Sequence, residues 1–168
     1  MTPALKLVDP AESELLASLE ARAKQPNRFF RAMAHRPEAL KNFPPLYGAV
    51  MGPGAVARRT KELVYLACAY TNSCAYCTAA HVGGARKAGV TEAEIAALQA
   101  GQDEVFPAAE RAAIAYAREL TRTAHAAATR AELAAHFHDE QTVEITLVVG
   151  MANLTNRFNN GLGILPEV

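Results

Sequence analysis

The sequence predicts an all-α protein, and three observations carry that reading. Apolar residues recur with the helical period along most of the chain, the chain is rich in Ala, Leu, Glu and Arg, and alternating Val, Ile and Thr runs bounded by hairpin turns are missing. The 168 residues suit a single domain over 1–168, and 51% hydrophobic against 20% charged residues supplies enough apolar surface for one core.

The elements follow in order from capping and breaking residues. A first helix is expected over Glu12 to Lys24, with Pro10 ahead of it and Pro26 closing it, and a short second one over Phe29 to His35. A third starts at Pro37 and reaches about Phe43, where Pro44 and Pro45 interrupt it, followed by an apolar stretch to Met51 and a Gly-Pro-Gly turn at 52–54. The central helix begins near Arg58, carries Leu63, Val64, Leu66, Ala67 and Tyr70 on its apolar side, and breaks at Thr71, Asn72 and Ser73. Those three residues are good cap formers, so the next helix starts at Cys74 and runs to Lys87 or Ala88, with Gly89 as its C-cap. Thr91-Glu92-Ala93-Glu94 reads as a capping box for a helix to Leu98, which Gly101 ends. Pro107 suits the first turn of a helix to about Thr123, Thr129 opens another, and Asp139 begins a long C-terminal helix through Leu154.

Lys plus Arg and Asp plus Glu each total 17, so no net field favours DNA, RNA or an anionic membrane, and neither nucleic acid nor membrane is an expected partner. The N-terminus carries acidic residues where a secretory signal has an apolar run, and no stretch reaches membrane-spanning length without charge. The expectation is a soluble, cytoplasmic chain. Three cysteines, two of them three residues apart, make a poor disulfide framework for a secreted domain and a reasonable redox pair in a reducing compartment.

That pair carries the chemistry. Cys74 and Cys77 stand at i and i+3, and His81 lies four past Cys77, so one helix stripe holds all three. Thiols at this spacing close a disulfide across about 5.5 Å between Cα atoms, and the unpaired amides of a helix start stabilise a thiolate. The helix-start field alone favours Cys74 as the more acidic thiol, while His81 stands one turn beyond Cys77, placed to hold or transfer its proton. Glu62 is the fourth member. It sits among Leu66, Ala69 and Tyr70, and a carboxylate on an apolar face needs a partner, because its unpaired burial costs several kcal/mol. If the chain turns back at 71–73, antiparallel packing brings Glu62 level with His81.

Other readings of these residues weigh less. A closed zinc site needs four ligands, and no second Cys/His pair follows at finger-like spacing; a c-type haem attachment needs His at position 78, where Thr78 stands. No metal or cofactor is expected. Cys68 reads as a structural cysteine, and His35, His125, His136 and His138 as surface or capping residues. Gly83-Gly84 in mid-helix costs about 1 kcal/mol per glycine relative to alanine, which points to close helix packing or substrate access beside His81. The polar run Asn153 to Asn160 is open between a subunit interface, a cleft lining and a solvated helix end, the last being the default.

Taken together, Glu62, a gap of twelve to Cys74, then Cys77 and His81 resemble the signature of the AhpD-like alkylhydroperoxidases of the carboxymuconolactone decarboxylase superfamily. The similarity is strongest from Phe43 to Leu98, and Asn156-Arg157-Phe158-Asn159 looks like the tail of peroxidase-related members. The resemblance implies an all-α bundle that assembles into trimers, hexamers or similar rings, a peroxide substrate, and an external dithiol reductant of protein or lipoyl type. It also implies that Cys77 attacks the peroxide, that Cys74 resolves the product and exchanges with the reductant, and that Glu62 serves a proton relay with His81. The familiar pattern has a histidine between the cysteines where Tyr76 stands here. Two other functions remain on this reading: the decarboxylase branch, whose chemistry has no need of a Cys-x-x-Cys pair, and a non-enzymatic redox-sensing oligomer.

Overall fold

A computed structural model describes residues 4–167, so the single domain expected over 1–168 extends past the described residues at both ends. Among the described residues there are nine α-helices, two 3-10 turns and no strand, the all-α class that the periodicity predicts. In chain order the helices are α1 (Glu14–Ala23), α2 (Arg28–Met33), α3 (Pro37–Met51), α4 (Arg58–Thr71), α5 (Ala75–Lys87), α6 (Glu92–Ala100), α7 (Ala108–Thr123), α8 (Arg130–His136) and α9 (Asp139–Leu162).

The arrangement follows from α4. Every residue from Thr60 to Ala69 is buried, and a helix buried all round must be wrapped by others. It packs against α5, α7 and α9, which pass on its different sides. The long α9 contributes Ile145, Val148, Val149 and Ala152 from one face, so the buried apolar side chains join in one contiguous cluster. Among the described residues no helix is long and apolar enough to cross a membrane.

Most boundaries lie within two residues of the sequence expectation, and the differences have local causes. α1 starts after the N-cap Ser13 and not at Glu12, because the Ser13 side chain accepts from the Leu16 amide while Pro10–Glu12 form a separate 3-10 turn. The expected interruption at Pro44 and Pro45 does not occur: α3 runs through both. Proline in a helix interior costs about 3 kcal/mol, but Leu40, Phe43, Val50 and Met51 bury one face of α3 and Pro45 faces solvent, so packing outweighs the lost hydrogen bonds. That continuity places Tyr47 beside His81 of α5, as described below.

A buried ion pair fixes the approach to α4. The Lys61 side chain is fully buried; its Nζ donates to the carbonyls of Val50 at 3.0 Å and Gly52 at 2.7 Å and pairs with Glu144. Glu144 Oε2 also accepts from the Val56 amide at 2.9 Å, so α9 holds the loop between α3 and α4.

Candidate active site

The loop after α4 sets the position of the cysteine pair. Asn72 closes α4, Ser73 takes a positive φ of 52°, and Cys74 becomes the N-cap of α5, its Sγ accepting from the Cys77 amide at 3.3 Å. Cys77 and His81 then project one turn apart from the same side of α5. Both are buried, as is Glu62 on α4. Among the described residues both sulfurs of the pair are free thiols.

Glu62 meets the partner its burial demands. Its Oε2 lies 2.8 Å from His81 Nδ1, and its Oε1 accepts from Arg58 Nε at 2.9 Å and Nη2 at 2.5 Å. Burial pushes this carboxyl up, but the His81 hydrogen bond and the charges of His81 and Arg58 outweigh it and leave the group below the usual range. Room for the carboxylate comes from Gly84, where a Cβ would stand 2.9 Å from Glu62 Cδ. The glycine pair read from sequence thus admits a close approach, and Gly84 is the member that does so.

His81 is held on three sides. Tyr65 stacks flat on its ring, with centroids 3.4 Å apart and planes within 15°, and the Tyr65 hydroxyl bonds Thr155 Oγ1 at 2.5 Å. The Tyr47 hydroxyl lies 3.3 Å from His81 Nε2. Burial and the charge of Glu62 push that phenol up to about 12, so it stays protonated and can donate. Among the described residues no hydrogen bond joins His81 to Cys77, although the i, i+4 spacing places them on one stripe.

The Cys77 sulfur is surrounded differently. The hydrogen bond from Cys74 lowers its pKa most; Asn159, Asn156 and Thr155 add to this against the opposing cost of burial, and the thiol comes down to about 7. Asn159 Nδ2 donates to the sulfur at 3.4 Å. Cys74 moves the other way, raised first by its hydrogen bond to Cys77 and then by burial. The helix-start argument that favoured Cys74 therefore fails: this sulfur caps the helix and keeps its proton while donating a hydrogen bond to its neighbour, and Cys77 is the more acidic of the two.

The two sulfurs open onto different hollows. Cys77 and His81 line a cavity of about 200 Å³ walled by aromatic rings, among them Phe29, Phe43, Tyr47 and Tyr65. Cys74 borders a shallower hollow on the other side, with Tyr70, Ser73, Thr78, Ala79 and Gln99.

Spacing brought Glu62, Cys74, Cys77 and His81 to attention; the structure pairs Glu62 with His81 and Cys74 with Cys77, and sets Cys77 and His81 on one cavity wall. Tyr47, Tyr65, Arg58, Asn156 and Asn159 escaped it. Asn156 and Asn159 are 0% and 1% exposed, so the default of a solvated helix end is wrong for them. They continue the buried stripe of α9 through Ile145, Val148 and Ala152, and that periodicity was the available signal. Arg58 stands four residues before Glu62, a spacing at which opposite charges pair. Cys68 keeps its structural reading: it is fully buried, accepts from Thr121 Oγ1 at 3.3 Å, and burial pushes it up to about 12. His35 and His125 are exposed, His136 pairs with Glu132, and His138 caps α9. Among the described residues no group of three or more His, Cys, Asp or Glu side chains could hold a metal ion.

Comparison with known proteins agrees with this architecture. Residues 37–119 match the model of the Carboxymuconolactone decarboxylase family. A crystal structure of a protein of unknown function from Agrobacterium tumefaciens, provisionally named an antioxidant defence protein AhpD, is 30% identical; the match covers 82% of this chain and 96% of that one, with a TM-score of 0.75. An uncharacterized peroxidase-related protein from Silicibacter shares the fold at a TM-score of 0.80 and 23% identity, over 99% of this chain and 90% of that one. The uncharacterized protein YdfG of Bacillus subtilis is 27% identical over 113 residues, 65% of this chain and 77% of its own length. With the family match and the fold of its relatives in agreement, the chain belongs to the carboxymuconolactone decarboxylase superfamily as an AhpD-like member.

Proposed function

We propose that the protein is a thiol-dependent peroxidase that reduces hydroperoxides through Cys77 and Cys74. One observation carries this reading: a thiol lowered to about 7 and hydrogen-bonded to a second, raised thiol lies at the wall of a small aromatic cavity that also holds a His81–Glu62 pair. The Cys77 thiolate attacks the terminal oxygen of the peroxide; the S–O bond forms, the O–O bond breaks, and an alkoxide leaves. Tyr47, kept protonated and hydrogen-bonded to His81, protonates that alkoxide, and His81, held by Glu62, passes to Tyr47 the proton that Cys77 gave up on ionising. Cys74 then displaces water from the Cys77 sulfenic acid to close the disulfide.

An external dithiol restores the pair by attacking Cys74 from the hollow beside Ser73 and Thr78, because this expels Cys77, the better leaving thiolate. The names of the Agrobacterium and Silicibacter relatives support a peroxidase-related role. The decarboxylase reading gains nothing from the cavity: among the described residues no Lys or Arg side chain lines it to hold the carboxylates of a lactone acid. The protein also works as a homo-oligomer on this proposal, since Val143, Leu147 and Leu154 expose one stripe of α9 beside Leu46 of α3. The deciding experiment is peroxide consumption with several dithiols. Cys77→Ser should abolish it, and Cys74→Ser should permit one turnover; activity retained by Cys77→Ser would end the proposal.

A further inference from the structure

Among the described residues, two buried side-chain atoms near Cys77 lack a hydrogen-bond partner: the acceptor Asn159 Oδ1 and the donor Asn156 Nδ2. Buried amides are almost always satisfied, so an orphaned pair beside a reactive sulfur asks for a ligand. Neighbouring amides on the same helix are satisfied, with Asn153 Nδ2 on Thr121 Oγ1 and Asn160 Nδ2 on the Asn72 carbonyl. Neither orphan disappears by turning its amide. Asn156 Oδ1 accepts from Asn72 Nδ2 at 2.9 Å, which fixes its NH₂ as the free end. Asn159 gives its NH₂ to Cys77, and turning it would set a carbonyl oxygen against the thiolate. Asn159 donates to the Cys77 sulfur and lines the cavity beside it, and the Asn156 amide is near enough to help lower the Cys77 thiol.

One free donor and one free acceptor complement a hydroxyl group, which presents lone pairs and a single hydrogen. We propose that Asn156 and Asn159 form a receptor for the oxygen that Cys77 takes from its substrate. Asn159 Oδ1 accepts the hydrogen of the terminal peroxide oxygen, and Asn156 Nδ2 donates to the same oxygen. This rests on the peroxidase reading and deepens it, because the attacked oxygen must carry a hydrogen: the substrate class is ROOH or HOOH. The balance holds throughout. Thiolate and ROOH give Cys77–SOH and RO⁻; sulfur is oxidised by two electrons, the O–O bond is reduced, the transferred oxygen keeps its hydrogen, and RO⁻ takes its proton from Tyr47. The same two amides then hold the sulfenic acid until Cys74 attacks.

Because Asn159 also stabilises the thiolate, the test must separate the two effects. In a Cys74→Ser background, the rate of sulfenic acid formation with cumene hydroperoxide is followed against pH until it levels off, where Cys77 is fully ionised in every variant. Asn159→Leu and the smaller Asn159→Ser, each checked for a native circular-dichroism melt, should raise the thiol titration. Their plateau rate should fall by about tenfold or more, as expected for one hydrogen bond made to the transferred oxygen. A raised titration with a plateau within about twofold of the parent overturns the receptor and leaves Asn159 as a thiolate donor alone. If the unsubstituted protein consumes no hydroperoxide with any dithiol, the peroxidase reading falls and the receptor with it.

Discussion

The carboxylate of Glu62 fills the space that a side chain at position 84 would need: a Cβ built on Gly84 would lie 2.9 Å from Glu62 Cδ. Two helices thus approach closely enough for α4 to hand His81 its partner. Gly84→Ala should push the carboxylate away from His81 while leaving both cysteines in place. Overpacking of this kind costs about 1–3 kcal/mol in stability. Peroxide consumption should fall by about tenfold or more while the Cys77 titration stays within a few tenths of a unit. Activity equal to the parent would show that the Glu62–His81 contact is dispensable.

Glu62→Gln, His81→Ala and Tyr47→Phe should each slow peroxide reduction at saturating dithiol, by up to the ~10²–10⁴ that general acid-base assistance supplies. The double variant Glu62→Gln/His81→Ala should be little slower than either single one, because residues acting as a unit are not additive. Additive losses in stopped-flow rates would mean that the groups act separately.

Cys77 should ionise near pH 7, below the ordinary thiol value of 9, while Cys74 stays protonated beside it. Its folded pKa is lowered, so its contribution to stability is complete above the unfolded value and is lost as pH falls through about 7. Iodoacetamide labelling of Cys77 should therefore rise through pH 7, and the urea midpoint of the reduced protein should increase between pH 7 and 9 from this group. Labelling that rises only near pH 9 would contradict the assignment.

Lys61→Met leaves Glu144 largely buried without its cation, and breaking a buried pair from one side costs about 3–5 kcal/mol. Urea unfolding should show that loss, and Lys61→Met/Glu144→Gln should recover part of it. A single variant as stable as the parent would mean that the loop between α3 and α4 does not depend on the pair.

Ala79→Trp places a large ring on an exposed helix position in the hollow that Cys74 borders. It should slow regeneration by a protein dithiol about tenfold and leave the first oxidation by peroxide unchanged in single-turnover kinetics. Slowing of the peroxide step instead would place substrate entry on the Cys74 side. Separately, Leu147→Asp with Leu154→Asp should lower the molar mass seen by light scattering if α9 joins the subunits.

The fold was legible because helices such as α7 bury one face, Ala113, Ile114, Ala117 and Thr121, at the helical period, and because Thr91 and Gly101 bound α6 as their chemistry requires. Pro44 and Pro45 misled because local propensity knows nothing of the face that Phe43 and Val50 bury. The site divides the same way. Residues within one helix, Cys74, Cys77 and His81, are related by fixed geometry, and Glu62 betrayed itself as a charge among apolar neighbours. Tyr47 gave no such sign: a tyrosine in α3 is an ordinary amphipathic residue until tertiary packing sets it against His81. Asn156 and Asn159 lay on a readable stripe, but the polarity of the surrounding run concealed it.

The hydrogen bonds gathered on the Cys77 sulfur also set how willingly the pair gives up its electrons. Donors from Cys74 and Asn159 reward a negative sulfur, and a disulfide sulfur carries no such charge. Closing the bridge would forfeit that stabilisation, so these contacts favour the reduced form over the oxidised one. By the thermodynamic cycle this raises the reduction potential and makes the disulfide a ready acceptor of electrons from an outside dithiol. On the proposed mechanism, the same contacts that ionise the attacking thiol ease reduction of the disulfide, which suits a pair that must turn over rather than a permanent cross-link.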